Sequence, residues 1–214
     1  MPPSNTAQAI SVLKQAGVVN AVLQGAAYCC GGGRMHVLAG VASAVHYGVL
    51  IHASGNVFGN QRTEKFFDLT GAVAQCTVVG AALYDPASGS LRALSSRQQL
   101  MSGMVVAWTL RLGSFLFLRI QKHGGLDPRF ERPKKYFSTF FTFWNVSAVW
   151  VFATSLPALT VLTTDRGPAA LGPVDYVGIA GWVVGFLFEV TADYTAKYLA
   201  SPALGHDKAP IISI

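Results

Sequence analysis

Glu189 and Asp193 stand four residues apart in GFLFEVTADY, residues 185–194, at the end of an otherwise apolar run. At that spacing they share one helix face, where two like charges repel by about a few tenths of a kcal/mol in water and by more in a poor dielectric. Two arrangements offset the repulsion. Either both carboxylates are solvated at a helix end, or both point into a polar cavity and accept hydrogen bonds from hydroxyl, amide or guanidinium groups, a ligand's included. Arg111 is the second residue out of place: in WTLRLGSFLFLRI it lies eight residues before Arg119 and well inside an apolar stretch. An arginine there pairs with a carboxylate or an anionic ligand group, and Glu189 and Asp193 are its candidate partners by depth, with or without a ligand.

A third group, Arg62, Glu64, Lys65 and Asp68, lies in NQRTEKFFDLTG at 60–71. Asp68 and Thr70 are placed to cap the helix that begins there, and the charges to meet headgroups. Other chemistries lack their residues. No GxGxxG follows a strand, no phosphate-binding loop is present, and no Ser/His/Asp set can be ordered by spacing. A soluble dinucleotide-binding enzyme is excluded. The three cysteines, Cys29, Cys30 and Cys76, form neither a CxxC pair nor a disulfide framework. His46 and His52 fall on different helix faces, which argues against a shared metal, and His52 with Asn56 reads as helix–helix hydrogen bonding.

The elements that position these residues follow from composition. Of 214 residues, 51% are hydrophobic and 12% charged, about half the charge of a soluble domain, so lipid rather than water surrounds most of the chain. Apolar runs at 35–58, 69–84, 98–118, 137–163 and 174–192 are each near the ~20 residues needed to span. The expected fold is therefore all-α, a multi-pass transmembrane bundle of about five spans. The 69–84 run is short and must start within the headgroups, and residues 16–30 form either an interfacial helix or a sixth span. No stretch alternates with period two over the length a membrane barrel requires. Residues 1–34 read as a mobile or interfacial segment, 35–198 as the transmembrane domain, and 199–214 as an irregular tail. The polar start is unlike a cleaved signal, so the first strong span serves for targeting.

The net charge of +6 does not point to nucleic acid, because six of the sixteen Lys and Arg residues fall in one short loop, RIQKHGGLDPRFERPKK at 119–135. By the positive-inside rule that loop is cytosolic, and alternation leaves ten cations on its side against five on the other. Pro157 is expected to kink the fourth span. Phe137, Phe140, Phe141, Phe143 and Trp144, beside the basic loop, are expected to form an interfacial aromatic belt.

Three stretches taken together, EKFFDLTGA at 64–72, WTLRLGSFLFLRIQKHGGLDPRFE at 108–131 and VGFLFEVTADYTAKY at 184–198, resemble the helical membrane proteins related to steroid 5-alpha-reductase, in the branch labelled as a domain of unknown function. The resemblance covers about residues 60–198. It implies a multi-pass enzyme, in the endoplasmic reticulum or a similar internal membrane, that reduces a carbon–carbon double bond of a sterol-like or other enone lipid with NADPH. The isoprenylcysteine methyltransferases are more distant kin, so fold alone does not fix the chemistry. In the reductases an acidic or amide residue followed four positions later by Asp helps hold the cofactor from the cytosolic side, and Glu189 with Asp193 match that pattern. Arg111 resembles the arginine beside the nicotinamide, and Trp108 stands about where the proton-donating tyrosine is wanted. Relatives continue through a glycine-containing loop, an Arg/His/Pro/Asn/Tyr motif and further spans, whereas this sequence ends in LASPALGHDKAPIISI. The implied protein is a C-terminally truncated member that binds NADPH poorly and is weakly active or inactive. The alternative is a non-catalytic membrane scaffold or lipid-binding protein.

Overall fold

Ser4 opens the first helix by accepting a hydrogen bond from the Ala7 amide at 3.2 Å, and α1 runs over Asn5–Cys29. The computed structural model describes residues 4–53, 62–85, 88–122, 124–164 and 170–199. Five more helices follow: α2 Arg34–Ala53, α3 Phe67–Leu83, α4 Ser96–Lys122, α5 Phe137–Thr164 and α6 Pro173–Leu199. A minimal hairpin, β1 Tyr84–Asp85 against β2 Ser90–Leu91, joins α3 to α4. The architecture is all-α, with helices at all five expected spans. The irregular tail expected at 199–214 lies, past Leu199, outside the described residues, as does Asn56.

Four helices are long and apolar enough to cross a membrane: α2 over Arg34–Ile51, α4, α5 over Phe137–Thr163, and α6 over Pro173–Thr195. α3 is apolar but has only 17 residues, which rise about 26 Å, a little short of the ~30 Å hydrocarbon core. This is the architecture of an integral membrane protein. By its contacts the chain divides into two units, residues 1–167 with α1–α5 and residues 168–214 with α6.

Within the first unit α5 is the hub, packing on α1, α2, α3 and α4. Its two ends sort the other helices by direction. At its start, the Phe137 amide donates to Gln8 Oε1 (3.0 Å) and Thr142 Oγ1 to Gln15 Oε1 (2.9 Å), both acceptors lying in the first half of α1. At its other end, Phe152, Leu159 and Leu162 share a buried cluster with Leu23 and Ala27 from the last turns of α1. α1 therefore runs parallel to α5 along the bundle's height. The stretch read from sequence as a mobile or interfacial lead-in is a helix of the bundle, tied to α5 by glutamines rather than by the apolar run that would have announced it.

The chain reverses into α2 through Gly31, Gly32 and Gly33, whose φ values of 112°, 60° and 47° lie in the left-handed region that favours glycine. Cations then hold the helix ends farthest from the 119–135 loop. Arg34 donates to the carbonyls of Ala81 and Tyr84 at the end of α3, and Arg92 (3.1 Å) and Gln98 (3.2 Å) donate to Leu162 at the end of α5. These groups answer carbonyls that have no partner within their own helices. Arg34 and Arg92, which run against the positive-inside count, are thus fixed as caps.

Helices α3 and α4 meet at small residues. A Cβ built on Gly113 would stand 2.5 Å from the Ala72 Cβ, so only glycine permits this approach. The aromatic residues at the start of α5 are not the expected belt. Phe140 and Trp144 are fully buried and Phe137 and Phe141 nearly so, clustered with Leu50, Ala53 and Phe130. Phe130 sits edge-on to Phe67 at 4.8 Å and to Phe140 at 6.0 Å between ring centroids. The basic loop folds back and supplies the hydrophobic partner that sequence inspection assigned to headgroups. Pro157 lies inside α5, which continues through it to Thr164.

Candidate functional site

Glu189 and Asp193 lie on α6, one uninterrupted helix, so their four-residue spacing places both carboxylates on one face, and each is half-buried. Arg111 is on α4, also half-buried, with its guanidinium carbon 5.7 Å from the centre of the Phe115 ring one turn on. That is cation–π distance. Trp108 lies one turn before Arg111 and is half-buried. Arg111 belongs to the first unit and the two carboxylates to the second, each described on its own. Their pairing stays an expectation of the sequence.

The densest polar constellation is at the loop end of the first unit. Glu64 is buried; its Oε1 accepts from Lys134 Nζ at 2.7 Å and from the Asp127 amide at 3.0 Å. Asp127 opens a short 3-10 turn, Pro128–Phe130, by accepting from the Arg129 amide at 2.9 Å, and its other oxygen receives Arg129 Nε at 2.8 Å and Nη2. Arg129 Nη2 also reaches Asp68 Oδ2 at 3.1 Å, with Arg119 Nη2 at 3.7 Å from the same oxygen. One guanidinium thus clamps two carboxylates, the planar donor geometry suited to that task.

The electrostatics follow. Burial alone would raise the Asp127 carboxyl, but the hydrogen bonds and charge of Arg129, helped by Arg119, bring it below its ordinary value. Arg129 is held above its ordinary value chiefly by its hydrogen bond to Asp127, against burial and with help from Asp68. The expectation that Asp68 caps α3 is corrected. Asp68 is already inside the helix, the cap position is Phe66 with no side-chain bond, and the Thr70 hydroxyl donates backward to the Phe66 carbonyl at 2.6 Å. Asp68 turns instead to Arg129 of the loop and Arg119 in the last turn of α4, which offer charge that a helix amide lacks.

Beside this network lies Arg62. Its Nη1 donates to the Lys134 carbonyl at 2.7 Å and its guanidinium carbon stands 5.9 Å from the Phe137 ring centre, while its Nε is buried with no hydrogen-bond partner. Burial pushes the guanidinium below its ordinary value. Arg62, Glu131, Lys134, Lys135 and Tyr136 line an open cleft of about 390 Å³.

Deeper in the bundle, His46 is fully buried. Its Nδ1 lies 2.8 Å from the Ala42 carbonyl, which can only accept, and its Nε2 3.0 Å from Ser147 Oγ on α5. Tyr47 donates to Asn145 Oδ1 at 2.7 Å. These bonds cement α2 to α5. Among the described residues no group of three His, Cys, Asp or Glu side chains could hold a metal ion.

Asp127 is the residue sequence reasoning missed, and Glu64, assigned with its neighbours to headgroups, is instead buried against Lys134 and the Asp127 amide. A buried carboxylate at a loop looks like a surface charge until its partner, 63 or 70 residues away, is brought to it. The pairing Asp127-x-Arg129 within one turn was the local signal.

No curated protein matches this sequence, and no solved structure does. Residues 57–205 match the model of DUF1295, a family described as protein of unknown function. That match contains Arg111, Glu189 and Asp193 as well as the whole network at the loop end. It spans more than two thirds of the chain, and the protein belongs to the DUF1295 family.

Proposed function

We propose that this membrane protein is a reductase-like member of its family, related to steroid 5-alpha-reductase, whose chemistry is NADPH-dependent reduction of a carbon–carbon double bond in a sterol-like or other enone lipid of the endoplasmic reticulum membrane. The observation that carries the reading is the pair Glu189 and Asp193 on one face of α6, both half-buried in a helix apolar enough to span. Carboxyl oxygens accept hydrogen bonds, so the pair suits ribose hydroxyls or a carboxamide NH2 and is unsuited to phosphate oxygens, which also accept. NADPH therefore suits the two carboxylates in part: its hydroxyl and amide groups can donate to them and its pyrophosphate cannot. NADPH, when bound, would supply the hydride. The protein's share is to orient it through Glu189 and Asp193, with Arg111 contributing positive charge.

The test is a titration of the purified protein with NADPH, followed by fluorescence or calorimetry. Micromolar binding that disappears in the Glu189→Ala/Asp193→Ala variant supports the reading; no binding at millimolar NADPH refutes it. A second reading, a non-catalytic lipid-binding or scaffold protein, draws on a separate observation. The carboxylates Glu64, Asp68 and Asp127 are all engaged in ion pairs or hydrogen bonds that hold the loop on α3. Such a network shapes a membrane-facing surface without performing chemistry.

A further inference from the structure

We infer that the cleft lined by Arg62, Lys134, Lys135 and Tyr136 is an oxyanion site for a phosphate group, presented by an anionic lipid headgroup. The inference stands apart from the NADPH reading, since it uses no residue of α6 and not Arg111. Its first support is Arg62. Among the described residues that guanidinium meets only neutral partners, the Lys134 carbonyl and the Phe137 ring, and its Nε is buried with no acceptor. A half-buried guanidinium with unspent donors calls for an acceptor with negative charge, and phosphate oxygens match its fork.

The second support is the rest of the wall. Lys135 is exposed and makes no ion pair among the described residues, and Tyr136 lines the cleft with it. Lys134 is neutralised from behind by Glu64 at 2.7 Å, so it contributes donors more than net charge. Glu131 is the one carboxylate of the lining, facing three cations. The balance favours an anion.

The third support, depth, selects the source. α5 has 28 residues and rises about 42 Å, longer than the ~30 Å hydrocarbon core, so the residues just before it stand among headgroups. Lys135 and Tyr136 are those residues. The positive-inside count puts this end on the cytosolic side, where anionic lipids are concentrated. A phosphate reaching this cleft in a membrane is most readily a lipid's.

The experiment uses the full chain purified in detergent, with dioctanoyl phosphatidic acid, dioctanoylglycerol and inorganic phosphate as probes and microscale thermophoresis as readout. The expected result is saturable binding of phosphatidic acid and none of dioctanoylglycerol. Arg62→Gln and Lys135→Gln should each weaken binding by about tenfold, the loss of one charge-assisted contact, while Lys122→Gln at the end of α4 leaves it unchanged. If inorganic phosphate displaces the lipid at similar concentration, the site takes phosphate from solution; if it does not, the lipid is the source. Should Arg62→Gln fail to fold, Lys135→Gln still decides, because its exposed side chain holds no other element. Equal binding by wild type and both cleft variants, or no binding of either phosphate probe, overturns the inference.

Discussion

Replacing Arg129 with methionine removes the donor that Asp127 and Asp68 share, and the consequence can be worked from the geometry. Their side chains are 6% and 11% exposed, so the substitution takes from the nearly buried Asp127 its paired cation and leaves Asp68 only Arg119, at 3.7 Å. Breaking a fully buried pair by deleting one partner costs about 3–5 kcal/mol, whereas an exposed pair contributes about 0.2–1 kcal/mol. Arg129 itself is 39% exposed, and water that reaches it also screens the pair. A loss of about 2 kcal/mol at neutral pH is expected, or about 4–8 °C in melting temperature for a chain of this size. The pH dependence carries the sharper test. In the wild type Asp127 is depressed, so its contribution is present above the ordinary aspartate range and is lost as pH falls through the lowered value. Without Arg129, burial dominates and the carboxyl rises, so the variant regains stability as acid protonates it. The gap between the two proteins should be widest near neutrality, narrow as pH falls through the variant's raised value, and close only below the ordinary aspartate value of about 4, where the wild type's lowered value is passed. Tryptophan-fluorescence melts in detergent across that range measure it. A gap that is constant with pH, or a melting change below about 1 °C at neutrality, would refute the assignment of Arg129 as the clamp.

Three further outcomes are expected from the packing of the helices. Gly113→Leu should cost about 1–3 kcal/mol or more by forcing α3 and α4 apart, since even a methyl group there meets the Ala72 Cβ at 2.5 Å; size-exclusion profiles and melts check it, and a wild-type profile contradicts the crossing. Tyr47→Phe leaves the buried Asn145 carbonyl without its donor and should lower stability by about 1–2 kcal/mol, read in the same melts. In sealed vesicles with the basic loop outward, an impermeant maleimide should spare Cys29, which lies at the opposite end where α1 turns into α2, while protease removes an N-terminal tag. Labelling of Cys29 before detergent is added, or a protected tag, contradicts the direction of α1.

The lipid-facing nature of the chain and the existence and approximate place of α2 to α6 were legible from composition and run length, because burying a backbone in hydrocarbon demands long apolar helices whatever they pack against. Glu189, Asp193 and Arg111 also stood out in sequence, as charges within apolar runs. What lay hidden depends on partners distant in the chain. α1, with Gln8, Gln15, Asn20 and Gln24, has no span-like composition, and its place beside α5 rests on glutamine hydrogen bonds visible only when both helices are present. The phenylalanines at the start of α5 carry the same composition whether they face headgroups or Phe130. The return of the loop decided it. The cations of residues 119–135 read as a topology signal, and the count still serves as one. Which of them are bound by Glu64, Asp68 and Asp127, and which are left to meet an outside anion, depends on directions that only tertiary packing sets: a charge is written in the sequence, but its neutralisation is a distance.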